Sequence, residues 1–130
     1  MADPTFAHTV DVENRLITVR LIGREPSAHY ADRIIAVYRS VPELWRYNRL
    51  IDHRKFRGMI QFEDIKRMSA VWDEITQGHP SRPRIAFVTR SALTQARIAA
   101  HDRIFPTQVR RAFTSLNDAL SWVLMHETVV

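Results

Sequence analysis

Asp52 and His53 are adjacent residues with the chemistry of an acid and a base. A carboxylate and an imidazole act together only when both reach one reacting group. Neighbours at a strand end project to opposite sides, and spacing reveals no nucleophile or third orienting residue to complete a set. We therefore expect no catalytic residue and no enzyme. The segment they open, Asp52-His53-Arg54-Lys55-Phe56-Arg57-Gly58, is polar and reads as a loop. A second segment, Thr89-Arg90-Ser91, leads into a helical pattern. Free N–H groups and the dipole at a helix start favour an anion, and Arg54, Lys55 and Arg90 can add charge-assisted hydrogen bonds. An anionic group held between the two loops is the sharpest local reading. Its candidate ligand- or partner-binding residues are Asp52, His53, Arg54, Lys55, Phe56, Gly58, Thr89, Arg90 and Ser91. The plainer reading is that both loops are solvated and Ser91 only caps its helix.

Other chemistries find less footing. The six histidines are His8, His29, His53, His79, His101 and His126. They form no close i, i+4 pair and no His-Glu-x-x-His motif, so no metal site is expected. The chain has no Cys, which excludes disulfides, thiolate ligands and Cys nucleophiles. No Gly-rich phosphate cradle occurs, so nucleotide cofactors are not expected. A phospho-receiver would need an acidic cluster where Leu21-Ile22-Gly23-Arg24 stands, and none precedes Glu25. Trp72 falls on an inward helical stripe and Trp122 beside the last helix's apolar face. Trp45, next to Arg46 and Tyr47, suits either the core or a protein interface.

The elements that would position these residues can be read from composition and periodicity. At 130 residues the chain fits one domain, with 45% hydrophobic and 25% charged residues. Such a chain buries roughly two-thirds of its unfolded surface, enough for a core without staples. The net charge is +5, but Lys occurs only at Lys55 and Lys66, and the arginines are scattered from Arg15 to Arg111. That pattern suits a solvated surface more than a nucleic-acid face. No run approaches the roughly 20 apolar residues of a membrane span. Met1-Ala2-Asp3-Pro4-Thr5 lacks a signal-peptide pattern, so we expect a cytoplasmic protein.

Phe6, His8, Val10 and Val12 alternate with polar neighbours as in a half-buried strand. Glu13-Asn14-Arg15 reads as a tight turn with positive φ at Asn14, and 16–22 as the return strand. Pro26 opens a helix with Ala31, Ile34, Ile35, Tyr38 and Val41 inward, and Pro42 ends it. Residues 45–52 read as a strand. Phe62, Ile65, Met68, Ser69, Trp72 and Ile75 trace a helical stripe stopped by Gly78 and Pro80. Residues 84–89 form a buried strand. Ser91 caps a helix that should turn Leu93, Ala96, Ala100 and Ile104 inward, before Pro106. Residues 109–113 are a last strand, and Ser115-x-x-Asp118 resembles a capping box for a helix through Ala119, Leu120, Val123 and Leu124. The order is β-β-α-β-α-β-α-β-α, an α/β domain with a mixed, mostly parallel sheet flanked by helices.

This order resembles the STAS fold, and three stretches resemble its SpoIIAA-like members. These are Leu50-Ile51-Asp52 with Phe56 and Gly58 beyond it, Arg84-Ile85-Ala86-Phe87-Val88-Thr89, and 109–123 with its aromatic Phe113 before a helix carrying Ala119 and Trp122. The likeness runs from about Val10 to Leu124, nearly the whole chain. Classical members of that family are anti-sigma factor antagonists switched by phosphorylation of a Ser after the third strand. The corresponding loop here, 52–58, has no Ser or Thr, so the switch does not carry over. The resemblance extends to lipid-carrying Sec14-type domains.

Two functions follow as expectations. The first is a non-catalytic regulatory module docking a protein partner, with homodimerisation possible. The second is a carrier of a small anionic or lipid-like ligand, with a pocket lined by residues such as Met59, Ile60, Phe62 and Ile104. Neither calls for a cofactor.

Overall fold

A computed structural model describes residues 5–125. His126 and the first four residues of the N-terminal segment lie outside the described residues. Five strands form one sheet in the order β1-β2-β3-β4-β5. They are β1 (Phe6–Asp11), β2 (Leu16–Gly23), β3 (Asn48–Phe56), β4 (Arg84–Val88) and β5 (Val109–Phe113). β1 pairs antiparallel with β2, and every other pairing is parallel. Four helices accompany them: α1 (Ser27–Ser40), α2 (Phe62–Thr76), α3 (Ala92–His101) and α4 (Leu116–Val123). The expected element order is the observed one.

Strands that follow one another in sequence and in space, joined by right-handed crossovers, place every crossover helix on the same face. α1, α2 and α3 accordingly share one face, and α4, which follows the last strand, covers part of the other. The period of two along each strand then separates two cores. Ile17, Val19, Leu21, Ile51 and Ile85 meet α1 and α2. Leu16, Leu50, Ala86 and Val88 meet Ala119 and Val123 of α4.

Four details differ from the sequence reading. Positive φ in the first turn falls on Arg15 (φ 52°), while Asn14 donates through Nδ2 to Asp11 Oδ2 at 2.8 Å and through its backbone N–H to Oδ1 at 3.0 Å. Residues 45–52 are not one strand. Pro42 stops α1, Leu44–Arg46 forms a 3-10 turn, and β3 starts only at Asn48. Trp45 is half-buried and stacks flat on His79, ring centres 3.5 Å apart. The segment expected to be a loop from Asp52 instead continues β3 to Phe56. A bulge interrupts its register with β2 between the Arg20–Asp52 and Ile22–Lys55 pairs, breaking the alternation that marks a strand in sequence. Finally, α3 is rotated from its expected setting. Leu93 and Ile104 are 63% and 47% exposed, Ala96 and Ala100 are exposed, and the inward side carries Thr94, Arg97, Ile98 and His101. Apolar residues at both settings made the helix phase ambiguous.

Asn48 ties the second layer together. Its side chain, in a residue 5% exposed, donates from Nδ2 to Val123 O at 2.8 Å and accepts from the Arg84 N–H at 2.9 Å. One amide thus joins β3, β4 and the end of α4. Asn48→Leu would leave a backbone donor and acceptor without partners, and we expect a loss of about 2–4 kcal/mol. A lowered urea midpoint with unchanged slope would check it.

Candidate functional site

The sheet's alternation and the β3 bulge divide the sequence-derived candidates between two depressions. Asp52 and Arg54 point to the α4 side, and His53 points to the α1–α3 side. Asp52 is buried at the strand end, and Arg54 reaches back to it in a two-pronged contact, Nε to Oδ1 at 3.0 Å and Nη2 to Oδ2 at 2.8 Å. Arg20 approaches the same carboxylate at 3.7 Å. Burial pushes the Asp52 carboxyl up, but the Arg54 hydrogen bonds and the two positive charges outweigh it and hold the group below its ordinary value. Lys55 and Arg90 line the same shallow cleft. Parts of the two candidate loops do meet, with the charge of Arg54 committed to Asp52. Thr89 is buried and its hydroxyl accepts from the Ser91 N–H at 3.1 Å. Ser91 is exposed and caps α3, accepting from the Thr94 N–H at 3.2 Å.

The second depression is smaller and more apolar. It lies between the sheet and helices α2 and α3, with α1 behind, and is a part-open cavity of about 110 Å³. One water molecule needs only about 10–15 Å³. Leu21, Ile51, Ile85 and Phe87 form the sheet floor. Ile65 and Met68 come from α2, Ile98 from α3, and Met59 and Ile60 from the loop after β3. Met59 is 47% exposed and marks the mouth. Arg97 bridges α3 to that loop by donating to Ile60 O at 3.0 Å. Of the expected pocket residues, Met59 and Ile60 line this cavity, whereas Phe62 and Ile104 do not. His53, Phe56 and Gly58 do line it. The bulge brings Phe56 back to the His53 face, with ring centres 5.3 Å apart. Gly58 lets the chain pass Phe56 closely, since a Cβ there would sit 3.0 Å from the ring.

Besides Arg97, two more arginines stand in this largely apolar lining, and the sequence reading assigned none of the three to a site. Arg49, the second residue of β3, is only 5% exposed. Its guanidinium lies over Trp72, Cζ 3.8 Å from the ring centre, and Nη1 donates to the Tyr38 hydroxyl. Nε and Nη2 are buried with no hydrogen-bond partner among the described residues. Contact with the Trp72 face offsets part of the desolvation, by about 2 kcal/mol at a buried site. Arg110 enters from β5 between Phe87 and Phe105, at 5.0 and 5.2 Å from their ring centres. Its nearest acid, the exposed Asp102, is 4.0 Å away. Burial lowers the Arg110 guanidinium to about 10, with Asp102 opposing and the like charge of Arg49 assisting. It remains charged at neutral pH.

No nucleophile–base pair forms in the cavity. Among the described residues no hydrogen bond joins Ser69 or Thr94 to His53 or His101. No group of three or more His, Asp or Glu side chains is placed to hold a metal ion among the described residues. No described helix is long and apolar enough to cross a membrane.

A four-parallel-strand sheet with an antiparallel hairpin strand, three helices on one face and one on the other, defines an α/β domain with a SpoIIAA-like fold. A solved structure that it resembles is that of an uncharacterized protein of the DUF3478 family, with a SpoIIAA-like fold, from Shewanella loihica PV-4. The two chains superpose with a TM-score of 0.56 at 15% identity, over 95% of this chain and 98% of the other. No protein-family model matches the sequence, and no curated protein matches it.

His53 generates a pH dependence. Burial lowers its pKa from 6.5 to about 4, against a smaller opposing effect from Asp52. Between those values the unfolded chain binds a proton that the folded chain refuses. Stability is therefore full above pH 6.5 and falls as pH drops toward 4, by about 3 kcal/mol from this residue. His101, also lowered by burial, acts in the same direction. Urea unfolding across this range should show the decline, and His53→Gln should flatten most of it.

Proposed function

We propose that this chain is a non-catalytic module that binds a small, largely apolar molecule between its sheet and helices α2 and α3. The observation that carries this reading is the part-open cavity of about 110 Å³ with a largely apolar lining and three arginines, Arg49, Arg97 and Arg110. A core built only for stability closes such spaces, because unfilled volume forfeits packing. Apolar walls with few polar groups are also the common make-up of small-molecule sites. The isolation of His53 and His101 from any nucleophile supports binding over chemistry.

Docking of a protein partner in the manner of anti-sigma factor antagonists is the second reading. The exposed Met59, Leu93 and Ile104 favour it. Native mass spectrometry of freshly purified protein separates the two: a retained small molecule supports the first, a clean apoprotein dimer the second.

Methyl-labelled protein titrated with 1-octanol and with octanoate tests the binding site directly. At least one of these probes should shift the methyl signals of Ile51, Ile85 and Ile98. Ser69→Phe, which places a ring in the cavity from α2, should weaken that binding by about tenfold or more. Absence of a response to both probes at millimolar concentration would remove this function.

A further inference from the structure

The identity of the group at the ligand's inner end follows from Arg49, and what is argued next rests on the binding function just proposed. The Arg49 guanidinium is a planar fork with its donors in fixed directions. Its Nη1 is taken by the Tyr38 hydroxyl, and its face is taken by Trp72 at 3.8 Å. The two nitrogens left without partners among the described residues are Nε and Nη2. They lie on the same edge of the guanidinium. Their N–H bonds run side by side, at the spacing of the two oxygens of one carboxylate. This edge belongs to a side chain that lines the cavity and is 5% exposed.

Arg110 adds a second positive charge to the same lining. Among the described residues its ion-pair partner is Asp102, 4.0 Å away with its side chain 51% exposed, and its Nη1 also donates to Ile98 O at 3.4 Å. With Arg97, the lining carries three arginines and, among the described residues, no carboxylate. Arg97 donates to Ile60 O at 3.0 Å, while one edge of Arg49 has no partner among the described residues. Buried charges are ordinarily paired, so an anion is the missing element. A planar monocarboxylate matches the buried, unpartnered edge of Arg49, which it would reach by displacing the side chains that now cover it, and the apolar walls from Ile51 and Ile98 to Met59 match a hydrocarbon body.

The geometry points to a carboxylate anchor: the ligand is a carboxylic acid with an apolar tail, its two oxygens accepting from Arg49 Nε and Nη2, with Arg110 as the second cation and the tail directed past Ile60 toward Met59. This seat is distinct from the Asp52–Arg54–Lys55–Arg90 cleft on the other side of β3.

Isothermal titration near neutral pH with octanoate, 1-octanol and octyl phosphate tests the assignment. Octanoate should bind roughly tenfold tighter than 1-octanol, whose hydroxyl offers no paired oxygens. Arg49→Met should bring octanoate down to the affinity of 1-octanol while leaving 1-octanol itself within about threefold of its wild-type value. Arg49→Lys should restore only part of the preference, because an ammonium cannot present two parallel donors. Equal binding of octanoate and 1-octanol to the wild-type protein would overturn the carboxylate anchor and leave the binding function standing, as would tightest binding of octyl phosphate. Failure of all three probes would remove both. If Arg49→Met does not fold, Arg110→Met serves in its place with a loss for octanoate of about threefold or more, and the wild-type preference decides by itself.

Discussion

A guanidinium sits where a parallel sheet and its covering helix would ordinarily meet through apolar side chains alone. Arg49 projects from near the start of β3 into that layer, lies against the indole of Trp72 and holds the Tyr38 hydroxyl. Its head is wide, flat and unable to lose its charge. The interface therefore packs around a charged plate with two donors unpartnered among the described residues, and Trp72 and Tyr38 at their edge-to-face angle of 79° are its immediate walls. The polarity of the cavity and its dependence on α2 both follow from that placement.

The central strand carries the consequences in both directions. Asn48, Leu50 and Asp52 serve the layer under α4, and Arg49, Ile51 and His53 serve the layer under α1–α3. A parallel strand buried on both faces can hold different chemistry on each, since its side chains alternate. Here one face receives a structural amide and an ion pair, and the other receives a cation and an imidazole kept neutral by burial. The bulge near the end of β3 then returns Phe56 to the cavity side, which closes the wall beside His53 while Lys55 stays in the outer cleft.

Much of the architecture was legible in the sequence. The stripe from Phe62 to Ile75, the apolar run at 84–88 and the Ser caps at Ser91 and Ser115 all carry local signals, and all stand where those signals put them. The site was legible only in part. His53, Phe56 and Gly58 were found because the sequence reads as a strand giving way to a loop at Asp52, and strand ends are the usual place for ligand contacts in such sheets. Arg49 and Arg110 were missed for a physical reason. An arginine inside a strand pattern reads as a solvent-facing break, and nothing within a few residues signals that Trp72 or Phe105 will cover it.

Composition and periodicity by themselves determined the class of fold, because burying strand and helix faces in this order leaves few layered solutions. They determined the lack of thiolate chemistry and the absence of a phosphorylatable side chain at 52–58 as well. Tertiary structure alone decided which face each β3 side chain serves, how α3 is rotated, and that three arginines share one largely apolar space. Those outcomes depend on contacts between residues such as Arg49 and Trp72, or Arg110 and Phe87, which are distant along the chain and meet only when the sheet is covered.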